Sequence, residues 1–210
     1  MGPEECWRII EKERLELADL LGELDESQLN TASLCEGWRV RDVAGHLAGV
    51  ADPPSPGRML LDVVRAGGSF HRLNRDSAIR NADRLGPRLA DELRALAASR
   101  RLPAVTNYRN TLFDVLVHGQ DISAPLGITR VMPVEAACAG ATQVWSIGFP
   151  FHARRRLDGL RLTATDADWQ VGSGAEVRGP IQALLLFLTG RTTALDSLSG
   201  AGMEAFRTSP

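Results

Sequence analysis

Apolar residues recur at helical spacing along most of this chain. Between residues 4 and 24, Ile10, Leu17, Leu20, Leu21 and Leu24 share one face among Glu, Arg and Lys, which predicts an amphipathic helix. A polar stretch from Asp25 to Gln28 leads through Thr31 to Gly37-Trp38. A second stripe of Val40, Val43, Ala44, Leu47 and Val50 then predicts a helix ended by Pro53, Pro54, Pro56 and Gly57. Helical patterns continue over about 59–74 and 76–100, the latter divided at Gly86-Pro87. Beyond Leu102-Pro103, the stripe Leu112, Phe113, Leu116 and Val117 predicts a helix stopping near Pro125 and Gly127, and another follows Pro133 carrying Val144, Trp145 and Ile147. The pattern then changes period. Leu160-Arg-Leu-Thr-Ala-Thr165 alternates as a half-buried strand does, and Trp169-Gln-Val171 reads as its hairpin partner. Gly172, Gly174 and Gly179-Pro180 punctuate a turn before the almost wholly apolar helix Ile181 to Leu188, which ends near Gly190. The expected architecture is mainly α: a helical bundle over 1–153 and a small α/β domain over 154–210, its apolar helix packed between the short sheet and the bundle.

Composition narrows the class. A chain of 210 residues with 44% hydrophobic content can bury a sizeable core, so it needs neither disulfides nor a structural metal, and any metal would be functional. A net charge of -2 with scattered basic residues argues against nucleic acid or a polybasic membrane contact and for small-molecule partners. Cys6, Cys35 and Cys138 are odd in number and lack CxxC spacing, which suits a reducing cytoplasm and reads as three buried small hydrophobes. The first residues are acidic and polar, with no basic stretch leading into an apolar run, so export is not expected; the run 181–188 is too short to span a bilayer.

Candidate chemistry concentrates in Asp114-Val-Leu-Val-His118-Gly-Gln-Asp121, where spacings of four and seven put three polar side chains on one helical face beside an apolar stripe. Asp114 and His118 are the two ligands that helix can offer a metal. His46, at the edge of its own apolar stripe, is the best third. Two imidazoles and one carboxylate would leave a position open for water, a thiol or a substrate oxygen. The plain alternative is a helical His–Asp pair with no ion. Asp42 could hold the second ring nitrogen of His46 or charge the first turn of its helix. Asp121 could orient His118 or accept a proton near substrate, or else bond backbone or an arginine. Arg191 could present a planar fork to a carboxylate, or complement a helix C-terminus. His71 and His152 lack partners at ligand spacing, Trp38 reads as a packing anchor, and Gly172-Ser-Gly174 lacks the lysine of a phosphate loop.

Three stretches together resemble a known family. Gly37-Trp38-Arg-Val-Arg-Asp42-Val-Ala-Gly-His46-Leu, Phe113-Asp114-Val-Leu-Val-His118-Gly-Gln-Asp121-Ile, and Asp168-Trp169 through Gly190-Arg191 to Leu198-Ser-Gly200 are similar to the mycothiol-dependent maleylpyruvate isomerases of the DinB-like superfamily, in the same order and over nearly the whole chain. The resemblance implies a DinB-like bundle and a divalent metal, usually zinc, on His46, Asp114 and His118. Mycothiol would be the thiol cosubstrate. The implied chemistry is thiolate addition to an activated double bond of a small carboxylated electrophile, giving cis–trans isomerisation or thiol transfer; Asp121 and Arg191, nominated on their own residue chemistry, are the candidate catalytic side chains. Two positions depart from the family pattern. Asp114 stands for a glutamate, so its carboxylate is one methylene shorter, and Gln120 stands for a tryptophan, which alters one pocket wall. Two other functions stay open at this point: a non-catalytic small-molecule-binding bundle with a drifted metal site, and a specialised biosynthetic enzyme on the same fold.

Overall fold

A computed structural model describes residues 1–103 and 106–208 of the chain. The helices and strands are, in order, α1 (Pro3–Glu23), α2 (Glu26–Leu29), α3 (Val40–Ala51), α4 (Pro56–Arg65), α5 (Phe70–Leu85), α6 (Leu89–Ala95), α7 (Tyr108–Ser123), α8 (Val134–Ser146), α9 (Ala153–Arg156), β1 (Leu160–Ala164), β2 (Gln170–Gly172), β3 (Ala175–Gly179), α10 (Ile181–Leu188) and α11 (Ala201–Thr208). The mainly α architecture with one small sheet is the expected one. Two compact units make up the chain: Gly2–Arg130, and Val131–Pro210 with Met1. Their division precedes α8, whereas the sequence pattern puts the boundary after 153. No helix among the described residues is long and apolar enough to cross a membrane.

In the first unit, α1 packs against α6 and α7, and α3 against α5, α6 and α7. The local signals are readable. Pro3 sits in the first turn of α1, Asn107 caps α7 by accepting from the amides of Arg109 and Asn110, and Asp42 accepts from the Arg39 amide at the start of α3. Two buried side chains of α1, Glu13 and Arg14, are charged, and Glu13 is paired with Arg130. Arg14, only 1% exposed, donates from Nη1 to the carbonyls of Leu96, Ala97 and Ser99 at 3.4, 3.3 and 2.8 Å, so it serves acceptors in the turn that follows α6. Burial pulls its pKa down to about 10, while the Asp114 carboxylate acts in the opposite direction.

Contact between α3 and α5 is backbone-close at Gly45. A Cβ placed there would lie 2.6 Å from the Ala78 carbonyl oxygen and 2.7 Å from the Ala82 nitrogen, atoms that cannot rotate away. Gly45→Ala is therefore expected to destabilise the protein by about 1–2 kcal/mol, overpacking outweighing the roughly 1 kcal/mol of helix propensity that alanine gains. Thermal unfolding checks this: the midpoint should fall by several degrees, and an unchanged or raised midpoint would refute the packing argument.

Two sequence expectations for this unit need correcting. The helix expected over 59–74 is divided, because Gly67 and Gly68 take positive φ in the turn that ends α4 and Ser69 caps α5, which runs on to Leu85 across the break expected between 74 and 76. Pro56-Gly57, read as part of a helix stop, opens α4, where proline suits the first turn.

The second unit carries a three-stranded sheet in the order β2-β1-β3, with β2 antiparallel and β3 parallel to β1. The hairpin partner falls where alternation placed it. By contrast β3 lies in the stretch read as a turn. The chain leaves β2 and crosses to the far edge of β1 within Gly172, Ser173 and Gly174, a path only these residues allow: both glycines have positive φ, and a Cβ on Gly174 would collide with the Gly159 carbonyl. The apolar α10 packs on α8 and on β1 and β3. Its end is served by Arg156, whose Nη2 donates to the carbonyls of Phe187 and Leu188. The helix α11, resting on β3, has no forerunner in the sequence pattern.

Candidate metal centre

Helix α3 supplies His46 and α7 supplies Asp114 and His118, and the three ligand atoms lie within 4.8 Å of one another. Asp114 Oδ1 stands 3.4 Å from His46 Nε2 and 3.5 Å from His118 Nε2. The two rings meet edge to face with centroids 4.8 Å apart. The shorter acid therefore reaches both imidazoles.

Whether an ion suits this donor set is a question of spacing and satisfaction. A tetrahedral ion with bonds of about 2.0–2.1 Å needs neighbouring donors about 3.3–3.4 Å apart, close to the separations found here. The other carboxylate oxygen, Asp114 Oδ2, is buried without a hydrogen-bond partner, an uncommon condition for an anionic atom that a cation would relieve. Two nitrogens and one oxygen form a set suited to a divalent ion such as zinc, with a coordination position left over. The residues fit.

Electrostatics favour charge here even without an ion. Burial works to raise the pKa of Asp114, but the His46 and His118 imidazoles outweigh it and hold the carboxyl well below the usual carboxylate range. His118 experiences the converse. Burial disfavours its cation, yet Asp114 and Asp121 lift its pKa well above the ordinary histidine value.

Beneath the three candidate ligands lies a support layer that only the fold reveals in full. Asp121 has no solvent exposure, and its Oδ2 accepts from His118 Nδ1 at 2.8 Å. A carboxylate can only accept, so Nδ1 carries the proton, and a neutral His118 turns its Nε2 lone pair toward His46 and Asp114. The same Oδ2 accepts from the Cys35 thiol at 3.1 Å. Cys35, expected as a buried small hydrophobe, is half-buried, with its sulfur 3.7 Å from His118 Nδ1. A short loop delivers it. Ser33 and Trp38 pair across that loop, Gly37 turns it with positive φ, and the Leu34 amide donates to the Asp121 carbonyl. Trp38, read as an anchor, stacks on His118 with ring centroids 6.2 Å apart and lies tilted against His46 at 5.4 Å. Nothing in the sequence pattern pointed to Cys35 as a neighbour of the centre, because its contact depends on loop geometry.

The other candidates have contacts of their own. Asp42 bonds the amide and guanidinium of Arg39, fulfilling the helix-start reading rather than the one in which it holds His46. Gln120 is buried and donates from Nε2 to the Arg130 carbonyl at 3.0 Å. Arg191 belongs to the second unit, where its Nη1 donates to the Thr189 carbonyl at 2.9 Å.

Asp121→Asn tests the support layer, since it keeps the shape while removing the carboxylate that fixes His118. Metal affinity is expected to fall about 10- to 100-fold, as read by competition with a fluorescent chelator. Wild-type affinity in the variant would show that Asp121 does not tune the ligand.

Comparison with known proteins agrees with this picture. The family model described as the mycothiol maleylpyruvate isomerase N-terminal domain matches residues 10–123, a span that holds all three candidate ligands. Among solved structures, a crystal structure of the mycothiol-dependent maleylpyruvate isomerase superposes with a TM-score of 0.62 at 16% identity, covering 96% of this chain and 93% of that one. A histidine-to-alanine mutant of the mycothiol-dependent maleylpyruvate isomerase gives 0.61 at the same identity and coverage. At such identity the likeness establishes the fold alone. No curated protein matches. With more than half its length matched by that model, the chain belongs to the family of the mycothiol maleylpyruvate isomerase N-terminal domain.

Proposed function

We propose that this protein is a divalent-metal-dependent enzyme that activates a low-molecular-weight thiol, mycothiol, for addition to a small electrophilic carboxylated substrate, as an isomerase or a thiol transferase. The observation that carries this reading is the convergence of His46, Asp114 and His118 around one point, with a buried carboxylate oxygen left unpartnered beside it. These three residues would hold the ion, zinc being the best fit to the donor set. A cation there lowers the pKa of a bound thiol, so that the nucleophilic thiolate exists at neutral pH.

The chain's own residues perform the rest. Asp114 is the one anionic donor of the three and would offset part of the charge of a bound ion. Asp121 keeps the His118 proton on Nδ1, away from the centre, and is a positioning residue that acts through that ring. Trp38 stacks on the His118 ring and lies tilted against His46, covering that side of the pair.

The test is metal analysis of freshly purified protein, then turnover of maleylpyruvate, or another electrophile, with and without mycothiol. About one equivalent of metal and thiol-dependent turnover lost on chelation are expected. A metal-free preparation that stays inactive after zinc is added, with the thiol present, would defeat the reading.

A further inference from the structure

A cavity of about 460 Å³ lies among α3, α4 and α5 in the first unit, and His46 forms part of its wall. That volume is within the range of small-molecule sites. Since a metal ligand lines it, a molecule seated there would adjoin the centre.

The charges of its wall are unequally satisfied. Buried Asp62 is held by Arg80 at 2.9 Å and by Arg65 at 3.6 Å, and Asp52 pairs with Arg101. Arg58 on α4 and Arg84 in the last turn of α5 also line the cavity, and neither has an acidic partner among the described residues. Two guanidiniums thus share the space, joined by the amides of Asn74 and Asn81. Guanidinium forks match carboxylates in geometry as well as charge. A neutral polyol could use the amides but would leave both cations unanswered.

We infer that this cavity is the binding site of the carboxylated electrophile, with Arg58 and Arg84 holding its carboxylates and its reactive part toward the His46 wall. The inference rests on the proposed thiol chemistry for the fate of the bound molecule, though not for binding itself.

Maleate serves as the probe: a small dicarboxylate titrated calorimetrically into chelator-treated protein, so that no metal can bind it. Wild type should bind it, and the Arg58→Gln/Arg84→Gln double variant should bind at least tenfold more weakly, while myo-inositol binds neither. In metal-loaded enzyme the double variant should raise KM for maleylpyruvate at least tenfold, with metal content unchanged. Both arginines are solvent-exposed, so the variant should fold. Equal maleate affinity in variant and wild type, no maleate binding at all, or inositol binding in its place would overturn the inference. The two claims fail separately. Turnover that ignores the double substitution removes the cavity and leaves the enzyme, whereas arginine-dependent maleate binding without any thiol-dependent turnover leaves the cavity and removes the enzyme.

Discussion

His118→Ala should yield a folded protein that carries less than about a tenth of an equivalent of metal and at least about a thousandfold less thiol-dependent activity than wild type. The size of the effect comes from the position of the ring. Its Nε2 faces Asp114 and His46, and its Nδ1 is the link to Asp121 and Cys35, so one substitution removes a ligand and disconnects the layer behind it. Asp114 would then retain only His46 as a close imidazole, too few donors for a tight divalent site. Plasma emission analysis of the purified variant and a thiol-dependent assay read the two effects. Stoichiometric metal in the variant would place the ion elsewhere.

Arg14→Ala has the largest expected effect on stability. The wild-type guanidinium is buried and answers three carbonyls where α6 ends; alanine would leave those acceptors without a donor and a void where the side chain lay. Carbonyls left without a donor cost about 1–3 kcal/mol each where buried, and with the void the loss comes to about 3–5 kcal/mol, which for a chain of this size lowers the unfolding midpoint by on the order of 10 °C. Denaturant titration with two spectroscopic probes measures it. A loss below about 1 kcal/mol would show that water replaces the guanidinium without difficulty.

Helical periodicity located α1, α3 and α7 well, because each has a continuous apolar stripe and a clear stop or cap. It therefore also brought the three candidate ligands to inward faces. It failed where backbone conformation decides the matter. The Gly67-Gly68 turn separates α4 from α5 although the hydrophobic pattern runs across it, and β3 is a strand because glycines let the chain cross a neighbouring strand, which no alternation rule encodes. The support layer was legible in part. Asp121 lies three residues from His118 on one helix, so their contact could be read from spacing, whereas Cys35 comes from a loop more than eighty residues away in sequence. Arg14 looked like one more exposed charge on an amphipathic helix, and only the end of α6 explains why it is inside.

The missing side chain at Gly45 has a consequence for how this protein can change. With α3 resting directly on the α5 main chain, the height of the adjacent His46 is set by the peptide framework and owes little to the side chains that line the neighbouring cavity. If the proposed site holds, replacements at Arg58 or Arg84 would redirect ligand preference while the imidazole stays in place. Selectivity and metal retention would then be separable traits, free to drift on independent evolutionary paths.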